Sequence, residues 1–170
     1  MKLSLCILLF TLPLLSAQVV RADDFELCFE QHLIELLDDT SYTVRDPSYP
    51  GLVANGELTD GRLLLSFVMV REQDGARSPR LRGSEQFDKI MAHFGDRVKI
   101  IGGSWTFGTN LQTFNELTAQ GMDLKSAALS TWTGKNAQRH GFTDVVIESI
   151  HGTPGHYHPV KVRFEKPSQK

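Results

Sequence analysis

The chain has 170 residues and a mass of 19.0 kDa, with 18 Lys and Arg residues against 20 Asp and Glu residues. This length corresponds to one domain of ordinary size. Hydrophobic residues make up 41% and charged residues 22% of the chain, so the composition excludes a generally disordered, collagen-like, coiled-coil or multi-span membrane protein.

The first 22 residues have the pattern of a secretory signal peptide. Lys2 gives a positive start, residues 3–15 are almost wholly apolar, and Val20-Arg21-Ala22 places small residues just before Asp23. The apolar segment is shorter than the roughly 20 residues that a membrane-spanning helix needs. We therefore predict cleavage before Asp23, and a secreted mature protein that has no transmembrane segment.

Cleavage at that point would leave 148 residues, with 16 basic residues against 20 acidic ones. Such mild acidity disfavours non-specific binding to nucleic acid or to anionic membranes through the overall field of the protein. Cys6 leaves with the signal peptide, so Cys28 is the only thiol of the mature chain and no intrachain disulfide is expected. Two interpretations of Cys28 remain open, a buried small hydrophobe and an intermolecular disulfide.

Residues 25–38 are predicted to form an amphipathic helix, because five large apolar residues follow one another at helical spacing. Asp23 and Asp24 precede this segment and suit the positive end of a helix. A loop is predicted over residues 39–51, which contain two prolines. The apolar residues of the predicted helix are Phe25, Phe29, Leu33, Leu36 and Leu37.

A β-hairpin is predicted next along the chain. Residues 52–59 and 63–70 are rich in β-forming residues and flank Asp60-Gly61, a pair that favours a two-residue hairpin turn. A polar loop over residues 72–83 follows, and its arginines are either solvated or able to hold a phosphate or a partner's carboxylate. These arginines are Arg77, Arg80 and Arg82.

Helices and strands are interspersed in the rest of the chain. Apolar residues at helical spacing, helix-capping residues and glycines predict the helix boundaries, and alternating apolar residues predict the strands. The predicted elements are a helix at 84–95, a strand at 97–101, a glycine-rich turn at 102–109, helices at 110–121 and 123–141, the second interrupted at Thr133-Gly134, and strands at 142–150 and 160–164.

The predicted order of elements is α-ββ-α-β-αα-ββ, without an internal repeat. Because the strands and helices do not follow strict βαβ alternation, we predict an α+β fold. Residues 23–165 would form a single two-layer domain, in which a mostly antiparallel sheet of about five strands is packed by three to four helices. Residues 166–170 would form a disordered tail.

Three histidines are the predicted acid/base residues. His156-x-His158, in the loop 151–159, places two imidazoles on one side of an extended chain, and His140 follows a predicted helix. Exposed loop histidines without a catalytic role are the alternative. The zinc-binding spacings His-Glu-x-x-His and Cys-x-x-Cys are absent, so no metal site is predicted and no other cofactor is implied.

Four further residues are candidates for binding a target. Trp105 lies with Phe107 in the glycine-rich turn, where the two aromatic side chains either pack on the core or form an exposed patch. Arg80 and Arg82, or alternatively Lys135, would hold a phosphate group. The target itself is predicted to be a macromolecule of unknown class.

Several short motifs lie between residues 82 and 164. They are Arg82-Gly83, Gly103-x-Trp105, Asn110-Leu111-x-x-Phe114-Asn115, Thr131-x-Thr133-Gly134-Lys135 with Ala137, and Gly141-Phe142. With these motifs the segment resembles the C-terminal toxin domains of bacterial polymorphic-toxin systems, the variable tips of large exported repeat proteins. The motifs are packing and turn residues, so the resemblance supplies no catalytic residue. The chain differs from that family in being short and in carrying its own predicted signal peptide.

Two functions follow as hypotheses. The first is a secreted toxin-like or effector-like protein that acts on a macromolecular target, with a metal-independent nuclease as one form. The second is a non-enzymatic secreted module that captures a partner or a ligand. The first requires histidines and basic residues to converge on one cleft, whereas the second requires only an exposed aromatic or apolar patch. The sequence leaves open whether the protein is an enzyme.

Overall fold

The computed structural model describes residues 33–49, 52–69 and 80–167. They belong to one unit of the chain, Gln31–Lys170. The predicted signal peptide, Cys28 and most of the predicted N-terminal helix lie outside the described residues. Within the described ranges, no helix is long and apolar enough to cross a membrane.

In the described part of the chain, seven strands form one sheet: β1 (Ile34–Leu37), β2 (Ser41–Arg45), β3 (Leu52–Thr59), β4 (Arg62–Met69), β5 (Ile100–Trp105), β6 (Asp144–Ile150) and β7 (Val160–Glu165). The order across the sheet is β1-β2-β3-β4-β5-β7-β6. Neighbouring strands are antiparallel except β4 and β5, which are parallel. The predicted class, a mostly antiparallel α+β fold, is confirmed, with two strands more than the sequence indicates.

Four helices of the described residues pack on one face of this sheet: α1 (Gly83–Phe94), α2 (Gly108–Ala119), α3 (Leu124–Ser130) and α4 (Trp132–Arg139). The core lies between the two layers and takes alternate residues of the strands, such as Leu63, Ile101 and Phe164. The residues between them, such as Leu64 and Lys161, are exposed on the opposite face of the sheet. The protein therefore has two layers, and one sheet face carries no helix among the described residues.

Helix α1 confirms its prediction from periodicity. The apolar residues that stand at spacings i, i+3, i+4 and i+7 in this segment are all buried, namely Phe87, Ile90, Met91 and Phe94. Gly95 follows the helix with a φ of +53°, a conformation that glycine adopts with little cost.

The predicted hairpin is confirmed as β3 and β4, which pair in register from Thr59 and Arg62 outwards. Asp60 and Gly61 both have positive φ, at 51° and 77°. Two positive φ values in a two-residue loop match the right-handed twist of the flanking strands. The Asp-Gly pair therefore sets the register of this part of the sheet.

The prediction for residues 25–38 and 39–51 is wrong where the structure describes these residues. Instead of a helix and a loop, β1 and β2 form a second hairpin, with Leu37 paired to Tyr42. The Asp38 carboxylate fixes the turn, since it accepts hydrogen bonds from the backbone N–H and hydroxyl groups of both Thr40 and Ser41. Alternating burial along β2, with Tyr42 and Val44 inside, anchors the hairpin to the core.

The predicted glycine-rich turn is also wrong in part, because Gly102 and Gly103 lie inside β5. The Arg62 side chain crosses β5 and binds Glu148 on β6 through two hydrogen bonds of 2.8 and 2.6 Å. A Cβ at Gly102 would lie 2.8 Å from Nε of Arg62, and a Cβ at Gly103 would lie 2.9 Å from Nε1 of Trp105. The two glycines thus make room for side chains that lie over the strand.

The C-terminal elements follow the prediction, except that the helix is interrupted at Thr131 and not at Thr133-Gly134, which both lie in α4. Asp123 precedes α3 and accepts hydrogen bonds from the backbone N–H groups of Lys125 and Ser126, at 3.1 and 3.0 Å. Strands β6 and β7 form the last hairpin. The predicted tail begins at Lys166, whose ammonium lies 5.2 Å from the centroid of the Phe142 ring, and residues 168–170 lie outside the described part of the chain.

The Asp38 carboxylate in the turn between β1 and β2 is expected to lose its contribution to the free energy of unfolding in acid. Hydrogen bonds from Ser41 and Thr40 lower the pKa of Asp38 from 3.8 to about 2. Because the folded-state pKa is the lower one, this carboxylate stabilises the fold fully above pH 3.8 and loses that contribution as the pH falls towards about 2. We expect Asp38→Asn to destabilise the protein near neutral pH, and the difference from wild type to shrink through this range in urea unfolding. Asp96→Asn, at an exposed carboxylate of the turn after α1, should show no such convergence.

Candidate active site between two helices

An aspartate on α1 binds two cationic or ionisable side chains from the end of α4. One oxygen of the Asp88 carboxylate lies 2.8 Å from Nε2 of His140, and its other oxygen accepts a hydrogen bond from the guanidinium of Arg139. Fifty-two residues of chain separate Asp88 from His140. The pairing thus depends on the packing of α4 against α1.

The His140 imidazole is held at one ring face and at one ring nitrogen. Its imidazole stacks on the buried ring of Phe87, with the ring centroids 5.5 Å apart and the planes inclined by 23°. The side chain is 26% exposed, and its Nδ1 has no hydrogen-bond partner among residues 33–49, 52–69 and 80–167. A carboxylate that fixes one ring nitrogen while the other stays available is an arrangement suited to a general base.

Arg139 is oriented by a second contact. Its Nη1 donates to Oδ1 of Asn136 at 2.8 Å, and the buried Asn136 amide in turn donates to the Trp132 carbonyl oxygen at 2.8 Å. The guanidinium therefore bridges Asn136 and Asp88. This places Arg139 as a positioning residue for the carboxylate.

Two of the predicted basic residues, Arg82 and Lys135, lie on this same pair of helices. Arg82 directly precedes α1, and its guanidinium is 71% exposed and 3.3 Å from the Glu85 carboxylate. Lys135 is exposed on α4, one helical turn before Arg139. Arg82 and Lys135 thus belong to the same two helical segments as Asp88, Arg139 and His140.

Arg80 makes contacts of its own at the end of β2. Its guanidinium is 2.9 Å from Oδ1 of Asp46, whose side chain is fully buried, and 3.0 Å from the hydroxyl of Ser48. Because the Asp46 carboxylate is buried, this ion pair fixes Arg80 next to the end of β2. Arg80 is therefore engaged in holding the start of α1 in place, and Arg77 lies outside the described residues.

The other two predicted histidines belong to a different part of the molecule. Nε2 of His158 lies 2.8 Å from the carbonyl oxygen of Thr106, whereas His156 is exposed. Asn115 of α2 holds their loop, since it donates to the Tyr157 carbonyl oxygen at 3.0 Å and accepts from the Tyr157 N–H at 2.8 Å. His156 and His158 are thus presented beside α2, while His140 is bound at α1.

Trp105 and Phe107 have opposite environments. Trp105 is 5% exposed and packs against Phe114 of α2, with the ring centroids 5.8 Å apart. Phe107 is 83% exposed just before α2. The expected exposed patch is reduced to Phe107, beside an open depression of about 490 Å³. Residues lining the depression are Gly108, Thr109, Leu111, Gln112 and Asn115.

The motifs that carry the resemblance to toxin domains make structural contacts. Asn110 on α2 donates to the Thr133 hydroxyl at 2.8 Å and accepts from the Thr133 N–H at 3.1 Å, which ties α2 to α4. The Thr131 hydroxyl donates to the Ala128 carbonyl oxygen at 2.7 Å and accepts from the Gly134 N–H at 3.1 Å. Thr131 thereby joins the end of α3 to the start of α4.

Comparison with known proteins adds nothing to this picture. No family model, no curated protein and no solved structure matches the chain. Within the part of the chain that the structure describes, no group of three or more His, Cys, Asp or Glu residues could hold a metal ion.

The sequence analysis selects His140, Arg82 and Lys135 as candidate site residues, but it does not select Asp88 or Arg139. Both lie on amphipathic helices at exposed or half-buried positions, where charged residues are expected whatever their role. Nothing in the local pattern distinguishes them from solvated charges. Only the approach of α1 and α4 reveals their partners.

Proposed function

We propose that this chain is a secreted toxin-like effector that cleaves a macromolecular target by general acid–base chemistry at the Asp88–His140 pair. The observation that carries the proposal is the carboxylate of Asp88, which accepts hydrogen bonds from the His140 imidazole and the Arg139 guanidinium at a partly exposed surface. Such carboxylate–imidazole pairs position a base for proton transfer.

The chemistry of the pair is a displacement assisted by one imidazole. Nδ1 of His140 takes the proton of an attacking water or hydroxyl as its oxygen forms the new bond to the target. The leaving oxygen then takes that proton from the imidazolium as its own bond breaks, which returns His140 to the neutral form. Asp88 stabilises the transient imidazolium, and Arg139 holds Asp88 in place.

Export and toxicity are supported by the sequence. Residues 1–22 have the pattern of a signal peptide, and residues 82–164 resemble polymorphic-toxin domains. The Asp88–His140 pair lies within that second segment, on α1 and at the end of α4, and several of the shared motifs tie α4 to α2 and α3.

A non-enzymatic binding module is the second candidate. It is favoured by Phe107, a large aromatic side chain that is 83% exposed. A captured partner would cover this ring and the depression next to it. This candidate requires no role for His140.

Growth of a bacterial host tests the proposed function. The chain is expressed from an inducible promoter with and without residues 1–22, so that both the exported and the cytoplasmic compartment are tested. We expect wild type to arrest growth in one of the two, and His140→Ala or Asp88→Asn to restore viable counts by about a hundredfold or more, since general acid–base catalysis contributes roughly 10²–10⁴-fold in rate.

The double variant His156→Ala/His158→Ala is the matched control and should arrest growth as wild type does. Thermal unfolding by circular dichroism shows that each variant is folded. Unchanged toxicity of His140→Ala would overturn the assignment of the site, and the absence of toxicity in wild type would favour the binding module. In the latter case, Phe107→Ser becomes the informative variant for partner binding.

A further inference from the structure

We infer that the surface formed by Arg82, Trp132 and Lys135 binds single-stranded nucleic acid. The bound strand would present its sugar–phosphate backbone to the Asp88–His140 pair. The inference rests on the proposed function, because it names the substrate class of that same site. Phosphodiesters are the bonds that would be cleaved.

The three residues adjoin one another across the two helices. Trp132 is half-buried at the start of α4, and its indole ring lies 3.0 Å from where a Cβ of Gly83 would be. Arg82 directly precedes Gly83, and Lys135 follows Trp132 by three residues, close to one helical turn. The Trp132 ring is thus adjacent to the residue that follows Arg82 and lies about one helical turn before Lys135.

The surface continues towards the reactive pair. Trp132 and His140 both contact the Phe87 ring, Trp132 at its edge with the centroids 5.9 Å apart and His140 on its face. Lys135 precedes Arg139 by four residues, so their side chains are neighbours on α4. A ligand bound at Trp132 would therefore lie beside the Phe87 ring that His140 also contacts.

The chemistry of this surface fits a chain of phosphates and bases. Single strands bind where cations follow the backbone and an aromatic side chain stacks with a base. The side chains of Arg82 and Lys135 are exposed, and those of Trp132 and Asp88 are half-buried, so the site is open along its length rather than enclosed around a small molecule. Lys135 has no ion pair among the described residues, which leaves its ammonium available to a phosphate.

Local charge is needed because the protein as a whole is acidic, with a formal net charge of −2. Binding through the overall field is disfavoured, so affinity must come from a few defined contacts. The inference therefore predicts a weak dependence of affinity on salt, set by two or three cations.

Fluorescence anisotropy with labelled single-stranded RNA and DNA oligonucleotides tests the inference on the purified chain. We expect Arg82→Gln/Lys135→Gln to weaken binding by about tenfold and to reduce the slope of log affinity against log salt by about 1.4, the value for two phosphate contacts on a single strand. Arg45→Gln/Lys125→Gln removes one exposed arginine and one exposed lysine elsewhere and should leave both quantities unchanged. Trp132→Leu should weaken binding, and Trp132→Phe should retain most of it.

The outcomes separate this inference from the proposed function. His140→Ala should bind the oligonucleotides as wild type does, because the imidazole acts on the bond and not on affinity. No binding by wild type, or equal losses in the two double variants, overturns the inference even if His140→Ala abolishes toxicity. Binding at Arg82 and Lys135 with unchanged toxicity of His140→Ala supports the inference while overturning the catalytic proposal.

Discussion

Gly134→Ala is expected to destabilise the protein by about 3 kcal/mol or more, a large effect for the addition of one methyl group. A Cβ at this position would overlap the carbonyl oxygen of Ala128 and lie 2.7 Å from Cα of Leu129. Both are backbone atoms at the end of α3, so no side-chain rotation can relieve the overlap. The junction of α3 and α4 would have to open, and the hydrogen bonds of Thr131 would be lost. The free energy of unfolding in urea measures the effect.

Gly141→Ala is the matched control for this substitution. Gly141 has a φ of +83°, and nothing lies within 4 Å of its Cβ position. The cost there is conformational, at about 1 kcal/mol, because an alanine must adopt a left-handed backbone. If the two variants unfold at the same urea concentration, the close approach of α4 to α3 is not as the structure describes it.

Sequence patterns predict the fold well where one signal is unopposed. Asp60-Gly61 between two β-forming stretches predicts the hairpin of β3 and β4, and apolar residues at helical spacing predict α1. In both cases local geometry and burial favour the same structure, so tertiary packing has nothing to override.

The failure at β1 and β2 has a physical cause. The apolar residues from Leu33 to Leu37 are compatible with helical spacing, but Ile34, Leu36 and Leu37 are exposed on an edge strand. The decisive signals lie further on, in the alternation of Tyr42 and Val44 and in the ability of the Asp38 carboxylate to hold a tight turn. Helical periodicity over a few residues is a weaker indicator than such alternation when a turn separates two short segments.

The candidate site was predictable only in part. His140, Arg82 and Lys135 are residue types with chemistry of their own, so composition and position suffice to select them. Asp88 becomes a candidate site residue only through its contact with His140, which lies fifty-two residues further along the chain. His156 and His158 are selected from their local spacing, but His158 contacts the Thr106 carbonyl oxygen and not the Asp88 carboxylate. Local spacing therefore does not show which histidine has a carboxylate partner.

Phe87→Ala is the second substitution with a large expected effect, at about 3–5 kcal/mol of stability. Phe87 is fully buried in α1 and contacts both Trp132 and His140. Truncation would leave a cavity between α1 and α4, which the side chains of Trp132 and His140 could fill only by moving from their present positions. Urea unfolding measures the loss, and a cost below about 1 kcal/mol would show that the ring is not packed there.

Phe87→Leu separates the support of His140 from the stability of the core. Leucine fills much of the volume and should cost about 1–2 kcal/mol, so the protein remains folded. It removes the aromatic face against which the imidazole stacks at 5.5 Å. The ring protons of His140 should lose the upfield shift that the neighbouring ring current causes, which proton–carbon NMR of the histidines detects. Since Asp88 still binds Nε2 while the ring can tilt, we expect toxicity to fall while the fold persists, which is the behaviour of a residue that positions the base rather than one that only fills the core.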